Sequence, residues 1–306
     1  LSSKYPKYKD WIDKANSIQF DRAEAYKVIR SEDEESGGED FLKEELLIAA
    51  ALAIAVAEKG NEIEPIIAKA VKENPTALLG DAFQKASKIM KSSFDTGDTA
   101  SVVSDNINEA MDKGAYASSR VKGYLDNVTS RKRLLEGMIK SSKYYTNEYF
   151  NNHVIPALYK EVEKILSSPT PVQEGGFNEV MEVLSKRLKS VPYWRVVANA
   201  AASRAYHYGV LKAGQLQGVR GYRIVAVLDA RTSAICRKMN GKEFWLSNAI
   251  DLMERAATAT DEEIKTVHPW VKFADVENLS NKQLADAGVI MPPFHGNCRS
   301  TVAAIY

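Results

Sequence analysis

The stretch YRIVAVLDARTSAICRKMNGKEFWL, residues 222–246, decides how the chain is read. Tyr222 to Leu228 is dense in β-branched and aromatic side chains, the composition of a strand. Asp229 ends it, because a carboxylate there can accept backbone N–H groups two residues on and fix a turn. Thr232 or Ser233 can cap a short helix running to Met239, and Asn240–Gly241 stops that helix in a left-handed turn. Lys242 to Leu246 then reads as a second strand. This strand–turn–helix–turn–strand unit places Cys236 in the first turn of its helix. The positive end of the peptide dipoles there favours a thiolate, the form that binds metal or attacks an electrophile.

Outward toward the C-terminus, residues 248–259 and 280–287 have the pattern of short helices, and Ser300 to Tyr306 that of a last strand. Outward toward the N-terminus, from about 42 to 214, apolar residues recur at three- and four-residue spacing, as in Ile63, Ile66, Ile67, Ala70 and Val71. Breaks are expected at Asn74–Pro75, at Gly80, and through Ser167 to Gly176, with a new helix starting at Val191–Pro192. The expected fold is therefore mainly α, with a small C-terminal α+β domain built on a short antiparallel sheet. Three regions follow: an N-terminal arm and acidic linker over 1–45, a helical body over 46–190, and the α+β domain over 191–306. The linker assignment rests on eight acids between residues 32 and 45, beside Gly37–Gly38.

The chain has 306 residues, a net charge of +1 and only two cysteines, Cys236 and Cys298, too few for a disulfide-framed secreted domain. A reducing, intracellular setting is expected. The first twenty residues lack an apolar signal core. The start at Leu1 rather than Met fits a processed or trimmed product. No membrane partner is expected, because the most apolar run, LLIAAALAIAVA at 46–57, is shorter than the roughly 20 residues a span needs. The aromatic group Tyr144, Tyr145, Tyr149, Phe150 and Tyr159 sits at helical spacing, which suits packing better than base stacking.

The second chemically dense stretch is PPFHGNCRS, residues 292–300. Gly296 allows a tight turn that brings His295 and Cys298 to one side, at a spacing suited to a metal knuckle. Cys236, His295 and Cys298 are three candidate ligands, with Asp229 or His268 as a fourth and zinc as the ion. Two other readings stand beside this one. In the first, the thiols stay free while Asp229, Arg231, Thr232 and Arg299 form a structural polar network around His295. In the second, the two cysteines close a disulfide. If a metal is held, a nuclease or other hydrolase using the Cys/His/Asp cluster is the alternative to a non-enzymatic role.

Taken together, the two stretches resemble the signature of the phage Mu F-like head-morphogenesis family, the minor head proteins. Asp229, Arg231, Thr232, Cys236, Gly241, Pro293, His295, Cys298 and Arg299 match in order and spacing, and the resemblance runs from 195 to 306. It implies a non-enzymatic tailed-phage protein acting in procapsid assembly and in genome packaging or delivery. Its partners would be the portal protein and other head proteins, and its place the virion, after assembly in the host cytoplasm. The chain ends just behind the signature, so no passenger domain is expected.

Charge adds a DNA expectation. Between Lys186 and Lys238 there are eleven Lys or Arg and one acid, a local net of +10. Such segregation suits phosphate contact. The candidate contacts to double-stranded DNA are Arg187, Lys189, Arg195, Arg204, Arg220, Arg223, Arg237 and Lys238.

Overall fold

The computed structural model describes residues 41–92, 98–167, 179–180, 182–183, 191–267, 269–296 and 298–305. In chain order the helices are α1 (Leu42–Glu73), α2 (Pro75–Ser92), α3 (Asp98–Ser119), α4 (Ser130–Tyr149), α5 (Ile155–Leu166) and α6 (Val191–Leu216). Strand β1 (Gly221–Val225) follows, then α7 (Ala234–Met239), β2 (Glu243–Trp245), α8 (Leu246–Thr258), α9 (Ile264–Val267), α10 (Phe273–Val276), α11 (Asn281–Asp286) and β3 (Thr301–Ile305). A π-helical turn, Phe150–Val154, joins α4 to α5. The architecture is mainly α with a small C-terminal sheet, as the sequence predicts. Among the described residues no helix is long and apolar enough to cross a membrane. Residues 1–40, with six of the eight linker acids, lie outside the described residues, but Glu44 and Glu45 correct the linker assignment: they stand buried in the first turn of α1, where Glu44 accepts from Lys113 Nζ at 2.9 Å.

The break at Asn74–Pro75 is where the sequence puts it, since Pro75 opens α2 at a position that needs no N–H donor. Gly80 does not break the chain. It lies inside α2 with open space around it, so only its conformational entropy counts against the helix. The helices Ile264–Val267 and Phe273–Val276 have no counterpart in the sequence reading, being one turn each and too short for periodicity.

The described residues form two compact units. One takes 49–92, 98–102, 145–167, 179–180, 182–183 and 191–194; the other takes 41–48, 103–119 with the following loop and α4 to 144, and the described residues from 195 to 305. The second unit thus joins segments on both sides of position 190. In the first unit, α2 packs on α5 and the π-helical turn. Phe83 meets Tyr159 edge-on at 5.3 Å, Phe150 is fully buried, and the Ser87 hydroxyl donates to Asn151 Oδ1 at 2.5 Å. Of the aromatics grouped in the sequence, Phe150 and Tyr159 serve packing.

In the second unit α6 is buried on every side from Val197 to Gly209. A helix buried all round belongs in a core, and here small residues let neighbours approach. A Cβ on Gly114 would stand 1.9 Å from the Tyr206 carbonyl oxygen, and one on Gly209 would stand 2.0 Å from that of Met111. Helices α3 and α6 therefore cross in backbone contact. The sheet has the order β2-β1-β3, antiparallel throughout. In β1, Tyr222 and Ile224 point inward while Arg223 and Val225 point out, the period of two that positions the strand. The buried Tyr222 hydroxyl donates to the Ile290 carbonyl at 2.9 Å and so ties the strand to the segment that leads into residues 292–300.

Candidate metal centre

Helix α7 is fixed at both ends. The Ser233 hydroxyl accepts from the Cys236 N–H at 3.3 Å, making Ser233 the cap, while Gly241 takes the positive φ of +77° that ends the helix turn. Asn240 adds a contact the sequence did not signal: its Oδ1 accepts from Ala226 N–H at 2.9 Å, binding the helix end to the strand it came from. Thr232 serves the turn instead. Its hydroxyl donates to the Val227 carbonyl at 2.5 Å and accepts from the Asp229 N–H at 2.8 Å.

This frame sets Cys236 against residues 59 and 62 positions later. Cys236 Sγ lies 3.1 Å from His295 Nε2 and 3.7 Å from Cys298 Sγ, and the three donor atoms fall within 4.8 Å of one another. Both cysteines are buried and unbridged, and His295 is half-buried. Sulfur atoms 3.7 Å apart are not bonded, since a disulfide is about 2.05 Å. His295 Nδ1 meets the Gly296 carbonyl at 2.6 Å. A carbonyl only accepts, so Nδ1 carries a proton, and Nε2 either donates a second proton to the Cys236 thiolate or, in the neutral Nδ1–H tautomer, keeps a lone pair. That tautomer, held by a backbone carbonyl, is the one a metal ligand requires.

The electrostatics favour a thiolate at Cys236. Its thiol is pushed well below the ordinary cysteine range, chiefly by hydrogen bonding from Cys298 and further by His295, Ser233 and Ser300, while desolvation opposes this. Cys298 moves the other way, because it keeps the proton it shares with Cys236 and is itself buried. His295 is raised, chiefly by its hydrogen bond to Cys236 and against its burial. Two sulfurs and one imidazole so arranged could hold a metal ion.

Asp229 is not among the clustered donor atoms. Its carboxylate faces Arg299, with Nη1 to Oδ2 at 2.8 Å and Nη2 to Oδ1 at 2.7 Å. The Arg231 N–H adds 2.8 Å to Oδ1, and the Arg231 guanidinium stands 3.9 Å from Oδ2. The Arg299 fork holds this carboxyl far below the usual carboxylate range, with the Arg231 N–H and Thr232 hydroxyl contributing and desolvation opposing. The polar network of Asp229, Arg231, Thr232 and Arg299 and the Cys/His cluster therefore coexist side by side. His268, the other candidate fourth ligand, lies outside the described residues.

The candidate DNA contacts divide. Arg187 and Lys189 lie outside the described residues, as does the Arg195 side chain. Arg204 is a correction: it is only 8% exposed, on the buried helix α6, where Nη1 donates to Ser141 Oγ at 3.3 Å. Arg223 is exposed but paired with Glu243 across the sheet at 2.5 Å. Arg237 gives its guanidinium to the carbonyls of Asp229 and Thr232, and Lys238 reaches the Leu279 carbonyl at 3.5 Å. Arg220 is exposed. A count of charges along the sequence cannot distinguish solvated cations from those spent inside the fold.

Set against known proteins, the chain matches no family model, no curated protein and no solved structure.

Proposed function

We propose that this chain is a minor head protein of the kind its two motifs resemble, acting in procapsid assembly and genome packaging or delivery through the portal and other head proteins. The observation that carries the proposal is the meeting of Asp229–Cys236 with His295–Arg299. Segments far apart in sequence close into one clasp through a carboxylate–guanidinium fork and a Cys/His cluster. Such a clasp gives a small sheet the rigidity an assembly module needs. The test is co-expression with the portal protein of the same genome, followed by affinity purification. Recovery of the two together supports the reading; wild-type chain that never associates with portal or procapsid overturns it.

The ion proposed for the cluster is zinc, whose preference for thiolate and imidazole fits two cysteines and one histidine. Bound there, it would cross-link α7 to the segment before β3. Elemental analysis of purified chain, before and after chelation, tests this directly. Double-stranded DNA contact is a further part of the proposal, centred on exposed Arg220 and on the basic positions outside the described residues. Its check is a gel-shift titration at rising salt, where steep loss of binding is expected.

The second reading, a metal-dependent nuclease or hydrolase, draws support from the donor set itself, since the three donors clustered among the described residues would by themselves leave a coordination position open. Against it, the nearby carboxylate that would act as base is committed to Arg299. Plasmid cleavage with Zn²⁺, Mn²⁺ or Mg²⁺ that disappears in His295→Ala would favour the enzyme.

A further inference from the structure

Residues 298–300 run without helical turns into β3, so alternate side chains fall on opposite sides. Burial follows that alternation. Cys298 is 2% exposed and Ser300 4%, while Arg299 between them turns out to meet Asp229. Ser300 therefore shares the side of Cys298. Yet Ser300 Oγ is in hydrogen-bonding geometry with no described atom. A buried hydroxyl without a partner is costly, so it calls for an explanation. The Cys/His cluster needs the complement of this: structural zinc sites close with four donors, and Cys236, His295 and Cys298 supply three.

We infer that Ser300 is the fourth member of the Cys236–His295–Cys298 site, its hydroxyl completing the donor set when a metal is bound. The inference rests on the metal reading above and goes beyond it by naming the residue on which closure of the site depends. Of the two residues that the spacing of the sequence offered for this place, Asp229 is held by Arg299, and His268 lies outside the described residues.

The experiment uses full-length chain and Co²⁺ as probe, with Zn²⁺ competition to obtain affinities. Co²⁺ reports its donors: thiolate charge-transfer absorption grows with the number of sulfurs, and the visible bands show whether coordination is tetrahedral. Wild type is expected to show two-thiolate absorption. Ser300→Ala should bind Zn²⁺ at least about tenfold more weakly, with altered visible bands. Ser300→Cys should bind more tightly and show the stronger absorption of three thiolates. Thermal melts of the metal-free variants keep a folding defect from being mistaken for a loss of ligation. If wild type binds Co²⁺ while Ser300→Cys gives an unchanged spectrum, Ser300 does not face the site and this inference fails, with the metal reading intact. If wild type binds neither ion, the metal reading fails and takes this inference with it.

Discussion

Asp229 and Arg299 form a two-pronged ion pair across seventy residues, each carboxylate oxygen meeting its own guanidinium nitrogen at 2.7 and 2.8 Å. The geometry depends on a planar fork, which lysine does not have. Arg299→Lys and Asp229→Asn are both expected to lower the thermal midpoint by a few degrees. Because the two residues act as one contact, the double variant should lose little more than the worse single one. Additive losses in a double-mutant cycle would show that the pair does not hold the clasp.

Acid should destabilise the fold in two stages. His207 is fully buried and its pKa is brought down to about 4 by desolvation, so the unfolded chain, with histidine near 6.5, binds the extra proton first. Its contribution to stability is complete above about pH 6.5 and falls by up to about 1.4 kcal/mol per pH unit toward pH 4. Asp229, whose carboxyl is depressed by Arg299, contributes above the unfolded carboxyl value near pH 4, and that share is lost as the pH falls further. Glu44 works in the opposite sense, because burial raises its carboxyl. The cleanest measurement is therefore the difference between wild type and His207→Gln in urea melts from pH 7 to 4.5, which should narrow as the pH falls. A difference that is constant with pH rules out a neutral buried imidazole.

Where α3 crosses α6, Gly114 and Gly209 have no room for a side chain, since a Cβ on either would stand within about 2 Å of a backbone oxygen. Gly114→Ala and Gly209→Ala should each cost roughly 1–3 kcal/mol, the usual cost of overpacking. Gly80→Ala, in open space on α2, is expected to stabilise its helix by roughly 0.5–1 kcal/mol. Chemical denaturation of the three variants checks both directions together.

The sequence made the strand–helix–strand unit legible because its signals are local. The run Tyr222–Leu228, the cap at Ser233 and the turn at Gly241 each declare themselves within a few residues, although β1 stops at Val225, short of Leu228. The meeting of Cys236 with His295 and Cys298 was legible as a residue pattern but not as a geometry. Spacing cannot tell that Asp229 turns to Arg299 instead of joining the ligands. The fate of Arg204 was hidden for a related reason. On α6 apolar and polar residues lie on all sides, and only tertiary packing decides that this arginine is enclosed. Ser300 was illegible because a serine before a strand carries no signal until its burial is known.

The two cysteines offer the last prediction. With Sγ atoms 3.7 Å apart, a small movement would bring them to bonding distance, and Cys236 already favours the attacking thiolate. In chelator-treated protein, a disulfide reagent such as oxidised glutathione should be attacked by Cys236 to give a mixed disulfide and release reduced glutathione. The Cys298 sulfur should then displace the second glutathione thiol, losing its proton and closing a Cys236–Cys298 bridge. Peptide mapping by mass spectrometry would detect the linked peptides and the loss of two hydrogens. If zinc occupies the cluster, stoichiometric Zn²⁺ should slow this closure strongly, because the thiolates are then engaged as ligands. Closure at the same rate with and without Zn²⁺ would mean that the pair is a free dithiol, and the clasp would rest on the Asp229–Arg299 fork and the packing around it.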